Sequence, residues 1–457
     1  MTPPEDFADD IDPRDVHRAL DLALRVGDIL MSSGAGAADV SATIRAILDH
    51  AGLRRADVDV TFTSLRLTYQ ASLDHVPVSL SRVVLSRDLD YDELTRTHLL
   101  VGGLLRGELT IVEARAQVAR LSSHLPWVPR WAATVAAAFF GGGVALLLGA
   151  GAVGTAIAAV AAVAVSVLQV EMTARAWPVF YVQAACGALA TTIALSVTAL
   201  PVEALDVRPS PVLTASIVLL LAGIGFLGAI QDALSGFYLT SSARVLEALL
   251  ATAGLIAGVG AGLELAPLLG IELGRVTPGR TVAPTILALA VFGGVVAAVA
   301  FAFICSAPLR SLPAVAATAL IGQAVAVAID APGSTLPWGA GMAAIAIGAV
   351  SHTIAGRVRV PPLVVVVPAL VPLLPGLQIF RGMNFISAGD VQGILQLSNA
   401  LATAIALAAG AILGEYLATP VKRQGRRIER SVGRRVEARL QGPRHAGVLH
   451  RRDWGGD

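Results

Sequence analysis

Charge is scarce in this chain. Of its 457 residues, 15% are Asp, Glu, Lys or Arg, whereas 55% are hydrophobic. A soluble protein carries about 25% charged residues. With a mean hydropathy of +0.71, the composition is that of a membrane protein. Cysteine is rarer still. Cys186 and Cys305 each lie in an apolar run, with no spacing for a disulfide or a metal, and read as small buried hydrophobes. There is no P-loop, which excludes ATP-powered transport by this chain. There is no nucleophile elbow and no His/Cys metal spacing, so neither enzyme chemistry nor a cofactor is expected. His50, His75, His98 and His124 are scattered and read as no zinc site. The acidic, Pro-rich start lacks a charged-then-apolar leader, so the first region is expected to stay in the cytoplasm.

The net charge of +1 hides three unlike regions. The first 130 residues hold 14 Arg and 19 acidic residues, the last 37 hold 11 Lys or Arg and 4 acidic residues, and the long stretch between holds 9 basic and 10 acidic. Residues 1–12 read as a disordered acidic tail. Residues 13–126 read as a small α+β domain. Val16, Leu20, Leu24, Val26, Ile29 and Leu30 mark one helical face, which Ser33-Gly34-Ala35-Gly36 ends. A second helix runs from Asp39 to His50. Strands follow at 58–63, 65–69 and 76–85, then helices at 94–105 and 111–121.

Ten apolar segments come next, at 131–150, 152–170, 179–200, 210–230, 243–263, 283–305, 312–330, 338–356, 361–380 and 398–418. Each approaches the ~20 residues that cross a bilayer as a helix. The pattern is written twice. Phe140-Gly141-Gly142 opens one block and Phe292-Gly293-Gly294 the other; Gly223 lies 83 positions after Phe140, and Gly376 lies 84 after Phe292. Five helices per copy is an odd number, so the second copy must enter from the opposite side. The expected architecture is an α-helical membrane protein with ten transmembrane helices in two five-helix inverted repeats, 127–265 and 280–420, after a cytoplasmic α+β domain. Glycines such as Gly254, Gly258, Gly260 and Gly262 suit a tight bundle, and bundles of this kind often form homo-oligomers. In the tail, 421–457, Lys422, Arg423, Arg426, Arg427, Arg430, Arg434, Arg435 and Arg439 flank the last helix. A nucleic-acid patch is the weaker reading. A topology anchor touching membrane lipids is the stronger one, and it places both termini in the cytoplasm.

Interrupted helices are where secondary transporters bind substrate. Val367-Pro368-Ala369-Leu370-Val371-Pro372-Leu373-Leu374-Pro375-Gly376 should break helix nine, because each proline removes a backbone donor. The matching stretch in helix four, Ala222-Gly223-Ile224-Gly225, has glycines but no proline. Candidate substrate-binding residues are therefore Ala222, Gly223, Gly225, Pro375, Gly376, Gln378, Asn384 and Asn399. Gln183 and Gln323 are further uncharged polar groups that serve either a zwitterion or helix–helix contact. Candidate gating or coupling residues are Asp232, Arg244, Glu247, Asp330 and Arg381, with Asp232 and Arg244 placed to pair at the cytoplasmic mouth. Glu171, Glu415 and His352 read as interfacial. The partners expected are a small-molecule substrate, lipids and protons.

These residues carry a resemblance. Ala23-Leu24-Arg25-Val26-Gly27-Asp28-Ile29-Leu30-Met31-Ser32-Ser33-Gly34-Ala35 with Asp39-Val40, then Gln231-Asp232-Ala233-Leu234-Ser235-Gly236, Ser242-Ala243-Arg244 and Glu247-Ala248, and finally Pro372-Leu373-Leu374-Pro375-Gly376 with Arg381-Gly382 resemble the bacterial threonine/serine exporter family over nearly the whole chain. One departure is that Ala222-Gly223 stands where that family usually has Pro-Gly. The resemblance implies export of threonine and serine across the inner membrane, driven by the proton motive force. Some relatives with split halves are linked instead to dicarboxylate export, a rival for which Arg381 is the candidate basic residue. A membrane-anchored ligand sensor is the rival from a different class, and a broken helix nine argues against it.

Overall fold

The computed structural model describes residues 12–72, 75–84, 89–121, 126–196, 212, 215–216, 220, 223–268, 284–329, 338–375, 378, 382, 385–386 and 389–440. It begins with an α+β unit. Helix α1 (Pro13–Ser32) packs against α2 (Ala37–His50), and a three-stranded sheet follows, with β1 (Ala56–Val60), β2 (Ser64–Tyr69) and β3 (Val78–Val83). Both pairings are antiparallel, with Val58 opposite Leu67 and Leu67 opposite Leu80. Alternation along β2 buries Leu65, Leu67 and Tyr69 on one face. Helices α3 (Tyr91–Leu105) and α4 (Ile111–Leu121) close the unit over a core that includes Leu20, Leu22, Ile44, Leu48 and Tyr91. Helix α1 stops where Gly34 turns to a φ of 88°, with Ala35 N–H donating back to the Leu30 carbonyl. The strand ends lie within three residues of the sequence reading, within the usual error at strand ends.

Ten more helices are described. They are α5 (Arg130–Leu147), α6 (Ala152–Ala174), α7 (Val179–Ser196), α8 (Gly223–Leu234), α9 (Tyr238–Leu268), α10 (Pro284–Ile304), α11 (Leu312–Ile329), α12 (Trp338–Val358), α13 (Leu363–Leu370) and α14 (Gln392–Leu440). Eight candidate spans among the described residues are long and apolar enough to cross a membrane; Leu363–Leu373 is a shorter apolar helix. The protein is thus an α-helical membrane protein carrying a small sheet. Of the expected fourth span, 210–230, the stretch before Gly223 lies largely outside the described residues. Helix α14 starts six residues before the expected 398, because the residues from Gln392 onward extend the same helix.

Glycine sets the packing of the bundle. Gly254 and Gly258 of α9 lie against the carbonyls of Phe180 and Ala184 of α7. Gly410 and Gly414 of α14 lie against the carbonyls of Gly341 and Ile345 of α12. Both crossings therefore use glycines four apart on carbonyls four apart, one helical turn each. The opening helices of the two apolar blocks also meet. A methyl on Gly143 of α5 would come 2.7 Å from the Gly293 carbonyl of α10, and the Phe140 and Phe301 rings lie 6.2 Å apart nearby.

The α+β unit docks on this bundle through its main chain. The Tyr91 N–H donates to the Cys305 carbonyl at 2.9 Å, and the Trp127 indole donates to the Ser306 carbonyl at 2.8 Å. Ser306 adopts a φ of 56° just after α10 ends. Trp127 also stands edge-on to Phe303, with centroids 5.4 Å apart.

Candidate functional site

Helix α13 is interrupted. Its α geometry ends at Leu370, a 3-10 turn covers Val371–Leu373, and Leu374 is extended with φ −60° and ψ 141°. Pro368 sits inside the helix and Pro372 inside the tight turn. Neither can donate to the carbonyl four residues upstream, which is the physical reason for the break. Pro375 is buried beyond it. Gln378 follows, half-buried, and its Oε1 accepts from the Thr403 hydroxyl at 3.2 Å. That hydroxyl also lies 2.8 Å from the Asn399 carbonyl. The break and α14 thus bring Gln378 and Asn399 together through Thr403, a buried residue that sequence reasoning missed. Its spacing of four from Asn399 on one helix was the available signal. Gly382 presses on Gly393 and Leu397 of α14, which seats the chain after the break on that helix.

Gly223 opens α8. Gly225 is exposed, with nothing within 4 Å of where a Cβ would sit, so close packing does not explain that glycine. Ala222, Asp330, Gly376, Arg381 and Asn384 lie outside the described residues. Two further amides in the bundle are buried. Gln183 on α7 has its Oε1, and Gln323 on α11 its Nε2, without a hydrogen-bond partner among the described residues.

A second group of polar residues lies where the α+β unit meets the bundle. Asp232, fully buried near the end of α8, pairs with Arg244 of α9, Oδ2 to Nε 3.2 Å. The pair is not a solvated loop contact. Asp232 Oδ1 accepts the Ala37 N–H at 2.8 Å, and Arg244 donates to the Ala35 carbonyl at 3.1 Å. Helix α2 begins at Gly36, which has no side chain to cap it, so a carboxylate from the bundle caps it instead. Gly228 makes room for the pair: a methyl there would meet the Arg244 guanidinium at 2.5 Å, whereas one on Gly36 would only touch Asp232 Oδ1, at 3.4 Å. Glu247 lies further along α9 and is exposed.

His352 of α12 and Glu415 of α14 join at 2.7 Å. Asp39, in the first turn of α2, keeps contact with water. Even so, the surrounding protein, and then the negative charges of Glu415 and Asp232, push its carboxyl above the usual range. Five elements, α2, α8, α9, α12 and α14, therefore place ionisable groups within electrostatic reach of one another. No group of three or more potential metal ligands occurs among the described residues.

A bundle of apolar helices with one helix broken beside uncharged polar groups defines a multi-pass membrane protein. Comparison with known proteins makes the class specific. Residues 21–266 match the sequence model of a family described as "Putative threonine/serine exporter", and residues 290–417 match one described as "Threonine/Serine exporter, ThrE". A "Probable threonine/serine exporter" of Mycobacterium tuberculosis is 32% identical over 428 residues, covering 92% of this chain and 80% of the relative. A "Threonine/serine exporter" of Corynebacterium glutamicum is 32% identical over 433 residues, covering 93% and 88%. The chain belongs to the threonine/serine exporter family. No solved structure matches it significantly.

Proposed function

We propose that this protein exports threonine and serine from the bacterial cytoplasm across the inner membrane, in exchange for protons. The observation that carries the reading is the break of α13 at Val371–Leu374, with Gln378 joined to Thr403 beside it. Broken backbone inside a membrane is tolerated where it is enclosed by protein or lines water. It offers unpaired backbone groups to the two charged ends of an amino acid. Gln378 and Thr403 carry no charge, which favours a zwitterion over a dicarboxylate. The names of the two relatives point to the same substrates.

The repeated glycine-on-carbonyl crossings, α7 with α9 and α12 with α14, support two copies of one module. Copies of five helices imply inversion. The basic tail supports cytoplasmic termini. For coupling, the His352–Glu415 pair is a titratable group held between two helices of the second copy, and Asp39 stands within electrostatic reach of it and of Asp232.

The test is efflux of labelled threonine from proteoliposomes, with and without an imposed proton gradient. Gradient-dependent flux competed by serine but not by succinate is the expected result. Succinate flux alone moves the protein to dicarboxylate export. Absence of flux for either substrate leaves the sensor reading.

A further inference from the structure

Gln323 is a buried polar side chain in the bundle whose amide donor lacks a partner among the described residues. It is 2% exposed, and its Nε2 has no partner among the described residues. A buried amide donor left unpaired is costly, and most costly at membrane depth, where no bulk water substitutes. An amide serving as glue between helices would be bonded across the interface, whereas this one faces bare backbone. A methyl on Gly294 of α10 would come 2.8 Å from the Gln323 Cδ and 3.0 Å from its Nε2. Gly294 is therefore the residue type that leaves room for the amide.

The place matters as much as the missing bond. Gln323 lies between α10 and α11, and these two helices also seat the interrupted helix. Both pack on α13, and α10 packs on the turn Val371–Leu373. The neighbouring Gly322 brings α11 to within 3.9 Å, measured from its Cβ position, of the Leu373 side chain. The break has a surplus of acceptors, because Pro368 and Pro372 cannot donate to the carbonyls of Val364 and Pro368. The Gln323 amide supplies a donor without a fixed charge.

We infer that Gln323 is a substrate-contacting and specificity-determining residue. Its amide donates to the carboxylate of a zwitterionic amino acid, while carbonyls freed in the α13 break accept the ammonium. This rests on the amino-acid export reading above and names a residue for it. The arrangement selects against a dicarboxylate, whose second anionic end would meet carbonyl oxygens. It also selects against a simple amine, which leaves the amide unpaired.

The experiment compares the full-length protein with Gln323→Met and Gly294→Ala in proteoliposomes, reading the KM and kcat of threonine efflux. Equilibrium binding of labelled threonine and the melting temperature are measured in detergent. Methionine keeps the volume and removes the donor; alanine at 294 keeps the donor and displaces it. Loss of a hydrogen bond to a charged group predicts a KM and Kd raised about ten- to a hundred-fold in Gln323→Met, with an unchanged or raised melting temperature because an unpaired amide has gone. Gly294→Ala should shift KM the same way. Unchanged KM and Kd in Gln323→Met, with a raised melting temperature, would overturn the assignment and make Gln323 a packing residue. Wild-type protein that neither binds nor moves threonine would instead remove the export reading beneath it.

Discussion

Replacing Asp232 by Ala tests the junction between the α+β unit and the bundle. The carboxylate makes two charge-assisted contacts, to the Ala37 N–H at 2.8 Å and to Arg244 at 3.2 Å. Its removal leaves the α2 terminus uncapped and the Arg244 cation, 9% exposed, without its counter-ion. Breaking a buried pair from one side costs about 3–5 kcal/mol, or about two to three and a half decades in an equilibrium constant. The direct readout is hydrogen exchange at the Ala37 amide in full-length protein. Its protection should fall by that factor in Asp232→Ala, up to the limit set by local opening in wild type. Amides in the middle of α1, for example Leu22, should keep their protection. Asp232→Asn retains an acceptor for Ala37 and should lose less. Arg244→Ala in the Asp232→Ala background should cost less than the sum of the single changes, since the partner charge has already gone. Unchanged Ala37 protection in Asp232→Ala would refute the reasoning.

Other expectations follow from separate features. Glu93 in α3 has its carboxyl raised to about 7 by burial and by the charges of Asp90 and Asp28. The fold favours its protonated form, so this contribution is complete below the ordinary carboxylate range and is lost as pH rises to about 7. Glu93→Gln should therefore flatten the stability profile between pH 5 and 8 and add about 1–2 kcal/mol at pH 8, the group being half-exposed and its shift discounted for solvent; thermal melts across that range check it. Gly258→Ala and Gly414→Ala each drive a methyl into a carbonyl, of Ala184 and Ile345 respectively, and each should destabilise the bundle by about 1–3 kcal/mol, seen as a lower melting temperature in detergent. Pro375→Ala with Gly376→Ala should abolish threonine efflux while the protein still inserts into membrane; normal flux in that double variant would remove the α13 break from the mechanism.

Much of the architecture could be read from local signals. Gly34 marked the end of α1 because a left-handed residue costs glycine least. The prolines at 368 and 372 marked the interruption because the missing donor is a property of the residue itself. Apolar runs marked the helices, though not where α14 begins, since the residues from Gln392 onward are as helical as those after 398. What stayed hidden was contact between distant segments. Nothing near Ala37 shows that a carboxylate 195 positions later caps its helix. Asp232 and Arg244 were legible as a pair but not as a clasp on Ala35 and Ala37. Gln323 was legible as polar, whereas its lack of a partner exists only in three dimensions.

The clasp bears on what the N-terminal unit does. Asp232 sits near the end of α8, which opens at Gly223. A displacement of α8 along its axis therefore pulls on the first turn of α2 through the buried Asp232–Ala37 bond, with Arg244 of α9 holding the Ala35 carbonyl beside it. The unit is also tied at Tyr91 and Trp127 to the carbonyls just beyond α10. These anchors fall on α8 and α9 and on the residues just beyond α10. If α8 and α10 move against each other during transport, the α+β unit cannot follow both, and one set of contacts must open. The α10 contacts are a main-chain bond and an indole bond between neutral groups, worth about 0.5–1.5 kcal/mol each. The α8 contacts involve charged partners, worth about 1.5–3 kcal/mol each. The α10 side should therefore open first, with the N-terminal unit travelling with α8.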